Sequence, residues 1–160
     1  AGTKIPTGKY NANVNGTVNP SFQVGTGSWD FIVIADYTLV KESFGWNTSV
    51  SYNLKTENNE HYKFGNQFNY NSVFFYTTKI NELSLVSLLG ISGEVYETNN
   101  QFNDKLKDTE GDALFGKMGV EVGLKDFGIG INAMLPISQH LTGDRVKADY
   151  RFSVHLNYKL

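Results

Sequence analysis

Nine ionisable side chains sit on the polar side of alternating stretches of this 160-residue chain: Asp30, Asp36, Lys63, Glu94, Lys117, Glu121, Arg151, His155 and Lys159. Uncharged polar residues at the same phase, Asn47, Ser49, Ser51, Gln67 and Asn69, extend the same lining. Charges of both signs, spread along strands, suit one of two tasks. They set the charge selectivity of a water-filled lumen, or they pair into a plug of side chains that fills a narrow barrel. The residue types leave both open, and the mixture of signs gives no strong preference for anions or cations.

Catalysis has little to draw on. His61, His140 and His155 are isolated, and Ser138 and Asp144 lie near His140 in a polar loop without a nucleophile motif. The stretch 97 to 112 holds Asp104, Asp108, Glu110 and Asp112 but not the regular spacing of a calcium loop. It reads as a solvated loop, the alternative being carboxylates that take surface calcium or cations bridging lipopolysaccharide. With no cysteine, disulfides and thiolate metal sites are excluded. The chain is not expected to be an enzyme, and no catalytic, cofactor-binding or metal-binding residue is assigned.

The elements that must position the polar side chains are strands. In residues 44 to 54, Phe44, Trp46, Val50, Tyr52 and Leu54 share one side with Thr48, and Gly45, Asn47, Ser49, Ser51 and Asn53 share the other. A strand facing bulk water carries charge on its outer face. Here the second face is small and amide-bearing, which suits a wall between lipid and a wet lumen. The same period of two marks six more segments: 29 to 39, 62 to 76, 83 to 96, 114 to 124, 127 to 135, and 152 to 160, the last ending on Tyr158, Lys159 and Leu160. No helical period competes with them.

Several apolar residues break the phase: Ile32, Ile34, Val73, Phe75, Val86, Leu88 and Phe115. They indicate a partly apolar lumen, a β-bulge near Asn71–Ser72 that swaps the faces, or contacts with residues upstream. The connections alternate in length. Residues 41 to 43, 77 to 82 and 125 to 126 are short, whereas 7 to 28, 55 to 61, 97 to 111 and 137 to 149 are longer and polar. Short turns on one side and long loops on the other are the signature of an outer-membrane barrel. Aromatics fall near both strand ends as two girdles: Phe44, Trp46, Phe74, Tyr76, Phe127 and Tyr158 by the short turns, and Tyr52, Tyr62, Phe64, Tyr96, Tyr150 and Phe152 by the long loops.

Composition sets the bounds. A net charge of −2 and a pI near 5.9 give no reason to expect nucleic acid. No apolar run reaches the roughly 18 residues of a spanning helix, but a spanning strand needs only about 9 to 11 and alternates. Ala1 begins without the charged and apolar regions of an export signal, so a mature form or a fragment is expected. Ala1 to Ile5 supply only the end of an eighth strand. Upstream strands are therefore expected, with these residues forming the C-terminal part of a larger barrel.

Ala1-Gly2-Thr3-Lys4-Ile5-Pro6-Thr7-Gly8, then Gly25-Thr26-Gly27-Ser28-Trp29-Asp30 at a strand start, resembles the outer-membrane transporter barrels whose best-known branch is associated with meta-pathway phenol degradation. Asn19-Pro20-Ser21-Phe22-Gln23 and Leu135-Pro136-Ile137-Ser138-Gln139 resemble the Bacteroidetes members. The resemblance runs over essentially the whole chain. It implies an outer-membrane location in a Gram-negative bacterium and passive uptake of small solutes, hydrophobic or aromatic ones included. It carries no binding residues over.

The expected fold is thus an all-β, antiparallel up-and-down transmembrane β-barrel with about eight strands here. The expected function is an outer-membrane channel or transporter, with outer-membrane lipid and lipopolysaccharide as surroundings and a small-molecule solute as cargo. The alternatives are a non-transporting barrel that acts as scaffold, adhesin or subunit of an envelope complex, and a soluble lipocalin-like binder with its apolar face inward. The second would have an outer face poor in charge over 44 to 54 and 62 to 71.

Overall fold

Alternation with period two places successive side chains on opposite faces of a pleated strand, and that pattern is built here into one dominant sheet. A computed structural model describes residues 1–14 and 17–158. The strands of that sheet are β1 (Gly2–Lys4), β2 (Asp30–Lys41), β3 (Phe44–Lys55), β4 (Gln67–Ile80), β5 (Leu83–Tyr96), β6 (Gly111–Leu124), β7 (Phe127–Leu141) and β8 (Arg151–Tyr158). Each pairs antiparallel with the next in an eight-stranded up-and-down meander, with β1 and β8 at the two edges. The sheet is open. β1 covers only Asp30 to Ile32 of its neighbour, and among the described residues no strand pairs with Val33 to Lys41 of β2 on that side.

The turns sort by end. Glu42–Ser43, Asn81–Glu82 and Lys125–Asp126 are two-residue links, each with its first residue at positive φ, a conformation that lets a tight hairpin follow the strands' twist. All the long connections lie at the opposite end. Three of them meet in a cap, where Tyr62–Lys63 pairs with Asn100–Gln101 and that pairs with Asp104–Lys105. Tyr62 is buried against Tyr10 and Phe64, with ring centroids 5.8 and 4.8 Å away. Burial, then the charges of Tyr62 and Glu60, pushes the Tyr10 phenol up to about 12.

Three sequence expectations change. The segment 62 to 76 is not one strand. At Gly65 the chain packs on the Glu97 backbone, and the Asn66 side chain accepts from Lys55 N (2.9 Å) and donates to Glu97 (2.8 Å). Tyr62 and Phe64 therefore belong to the cap and not to an outer girdle, and Lys63 leaves the sheet with them. No bulge occurs at Asn71–Ser72, where β4 keeps register with both neighbours. The bulge is in β7, opposite Leu114 and Phe115, and Ile137 is the extra residue. It lets β7 run through Pro136 to Leu141, because a bulge interrupts the ladder where proline has no N–H to give.

The two faces differ sharply. From β2 to β8 one face carries Phe31, Val33, Tyr37, Leu39, Phe44, Val50, Phe68, Phe74, Leu89, Ile91, Met118, Val120, Ile129, Ile131, Val154 and Leu156, all exposed. At the short-turn end Phe44, Trp46 and Phe74 stack, and Trp46 Nε1 donates to Ser72 Oγ at 2.9 Å. The opposite face is polar, and the sheet bends toward it. On that face Phe115 is wholly buried, whereas Val154 on the other is 66% exposed.

Candidate functional site: the polar face

Register fixes which side chains meet on this face. Ile34, Ser51, Asn69, Glu94, Ala113 and Gln139 form one row, and Asp36, Ser49, Asn71, Ser92, Phe115 and Pro136 form the next. Of the proposed lining, Asp36, Asn47, Ser49, Ser51, Gln67, Asn69, Glu94, Lys117, Glu121, Arg151 and His155 share this face. Lys63 does not, since it pairs with Asn100 in the cap. Lys159 and Leu160 lie outside the described residues. The out-of-phase apolar residues Ile32, Ile34, Val73, Phe75, Val86, Leu88 and Phe115 also point to the polar side, so that face is partly apolar.

Over β2 to β4 the contacts are short-range. Asn47 donates to both oxygens of Asp36 (3.1 and 3.2 Å) and to Thr38 Oγ1 (2.8 Å). Asn69 donates to Ser51 Oγ (3.0 Å) and accepts from Gln67 (2.7 Å). Their small size leaves a shallow hollow of about 280 Å³ among Ile34, Ser49, Ser51, Asn69, Asn71 and Ser92.

Over β5 to β8 the contacts are charged and long. Arg151, the first residue of β8, reaches across β7 and β6 to Glu94 on β5. Nη1 meets Oε1, and Nη2 donates to Oε2 at 3.1 Å. Three strand spacings are roughly 14 Å in a flat sheet, so the guanidinium must lie along the wall. It rests over the ring of Phe115, 4.3 Å from the centroid, a cation–π arrangement that holds its plane. Tyr96 donates to Glu94 Oε2 at 2.7 Å and completes the group. A cavity of about 210 Å³ opens beside it toward the long loops, bordered also by Glu110, Leu141 and Val146. Hydrogen bonds from its own backbone first, then from Thr98 and Thr109, hold the Glu110 carboxyl below its usual range.

Nearer the short turns, His155 Nε2 lies 3.1 Å from Glu121 Oε2, Asn157 donates to Oε1 (3.4 Å), and Asn132 Nδ2 lies 3.4 Å from His155 Nδ1. The imidazole occupies the space over Gly130, where any Cβ would meet it. Asn132 Oδ1 is buried without a hydrogen-bond partner. Lys117 donates to Asn71 Oδ1 two strands away (3.4 Å).

Asp30 plays a different part from the rest. It is buried at the long-loop end, where Lys4 Nζ (2.5 Å), Lys55 Nζ (2.9 Å) and Ser28 Oγ (3.4 Å) surround it. It ties β1, β2 and β3 together at the rim and does not line open space. Sequence reasoning missed Lys4 and Tyr96. It passed over Asn71, although that residue shares the phase of Gln67 and Asn69. Among the described residues no three His, Asp or Glu side chains converge on a point that could hold a metal ion. No hydrogen bond or ion pair joins Ser138 or Asp144 to His140, whose ring lies 3.8 Å from Asp112.

No family model, curated protein or solved structure matches the chain.

Proposed function

We propose that this sheet is the wall of a transmembrane β-barrel in a Gram-negative outer membrane, and that it forms a passive channel for small solutes. The observation that carries the reading is the pairing of an extended, exposed and mainly apolar face with a polar face whose charges find partners on the same wall. Exposed apolar area far beyond a few hundred Å² marks a membrane or a partner. Lipid is the partner that fits the aromatic band at the short turns, the exposed Tyr52, Tyr150 and Phe152 at the other end, and strands of 14 residues in β4, β5 and β6, which exceed the about 9 to 11 a tilted crossing needs. Side chains paired along one wall lie flat and leave a lumen, whereas a plug needs charges that reach across it. Phe75 and Leu88, half-buried on the inner face, suit solutes with an apolar part, in keeping with the resemblance to phenol-pathway transporters. The free edges of β2 and β8 are closed in this reading by further strands, because an unpaired edge in lipid costs several kcal/mol per group.

A soluble lipocalin-like binder would curl toward its apolar face, and this sheet bends the other way. A scaffold or envelope-complex subunit would share the wall but not the conductance. Single-channel recording and liposome swelling with the full-length protein separate these: a folded barrel that conducts nothing and swells no liposome would sink the channel. The membrane itself is tested by Ile131→Arg on the apolar face. It should cost about 2–4 kcal/mol in bilayers, while Ser49→Arg on the polar face costs little. Equal, small effects would point to a soluble protein.

A further inference from the structure

We propose that Glu94 and Arg151 are a self-neutralising charge couple that keeps the lumen nearly indifferent to solute charge, and that either residue alone would make it selective. The proposal rests on the pore reading above. The couple borders the cavity that opens at the long-loop end, so a solute entering from that side meets these two charges early. Arg151 is the more exposed partner, at 44% of its side chain against 16% for Glu94. Neither charge depends on the other alone for its position. Tyr96 holds the Glu94 carboxylate, and the face of Phe115 holds the guanidinium. A substitution at one residue therefore leaves the other in place and unmasked. In a cleft with low-dielectric walls an uncompensated charge is felt strongly by a passing ion.

The other charged residues of this face lack that arrangement. Asp36 and Lys117 meet amides, not opposite charges. Glu121 meets an imidazole and an amide. Among the described sheet residues that line the open polar face, Glu94 and Arg151 are the pair in which a fixed cation meets a carboxylate.

The test is zero-current voltage across a planar bilayer with a potassium chloride gradient, using the full-length protein and variants checked for folding by heat-modifiable migration. Arg151→Gln should shift the voltage toward cation preference and Glu94→Gln toward anion preference. The double variant should return close to the parent, although the contact is gone, and Arg151→Lys should stay there. A merely structural strap predicts something else: both single variants shift in the same direction and the double variant is worst. That result, or no shift in either single variant, overturns the couple while leaving the channel intact. A folded parent that does not conduct removes the pore reading and the couple with it.

Discussion

The polar face is built in two ways, and the contrast separates local from long-range contacts. Over β2 to β4 it is amide and hydroxyl, with partners on the same or an adjacent strand, as in Asn47 with Asp36 and Asn69 with Ser51, except at Asn71, which accepts from Lys117 two strands away. Over β5 to β8 it is ionic and aromatic, with contacts that jump two or three strands, as in His155 with Glu121 and Arg151 with Glu94. A neighbour-to-neighbour hydrogen bond adds nothing to curvature that the ladder has not already set. A contact across three strands holds only if the sheet bends, so each such contact opposes flattening. One half of the face is surface chemistry alone, and the other adds bracing to it.

Substitutions can break or sharpen that distinction. The largest effect is expected at Phe115, the fully buried ring under the guanidinium. Phe115→Ala should lose about 3–5 kcal/mol, read from urea unfolding followed by tryptophan fluorescence, and a loss below about 1 kcal/mol would erase the bracing role. Arg151→Ala comes next, at about 1–3 kcal/mol, because Glu94 keeps its low exposure and loses its charged partner. Gly130→Ala puts a methyl group where the His155 ring lies. Because the ring is partly exposed and can swing away from Glu121, about 1 kcal/mol is expected, seen as a changed His155 imidazole resonance by NMR. The smallest effect belongs to the other half: Asn69→Ala should cost less than about 1 kcal/mol. A loss at Asn69 as large as that at Arg151 would mean that the two halves are built alike.

Much of this sheet was legible because period two is a strong signal when both faces are chemically distinct. The segments 44 to 54, 83 to 96 and 114 to 124 fall within β3, β5 and β6. The sorting of short and long connections also appears as read. What misled was alternation that continues past a strand's end. Tyr62 and Phe64 keep the phase of Phe68 and Tyr70, but they join the cap, Tyr62 buried and Phe64 half-buried, because Gly65 and Asn66 turn the chain toward Glu97 and Asn99. Tyr96 has the polar-face parity of Glu94, yet an aromatic at a strand end reads as girdle. The out-of-phase Val73 and Phe75 suggested a bulge, while the real one sits at Ile137, beside a proline that the pattern had placed at the strand's end. Partnerships such as Arg151 with Glu94 had no signal at all, because their residues are far apart in sequence and meet only through curvature.

The chain directions of the two free edges carry a last consequence. Six antiparallel steps separate β2 from β8, so these strands run the same way, from the long loops toward the short turns. Zipping the bare edge of β2 at Val33 to Lys41 onto β8 would make a parallel joint in an otherwise antiparallel ring. Two copies of the sheet standing side by side, long loops on the same side of a membrane, meet the same obstacle at every combination of these edges. A ring with all joints antiparallel therefore needs an odd number of strands between that stretch of β2 and β8. Parity, more than size, decides what can complete it.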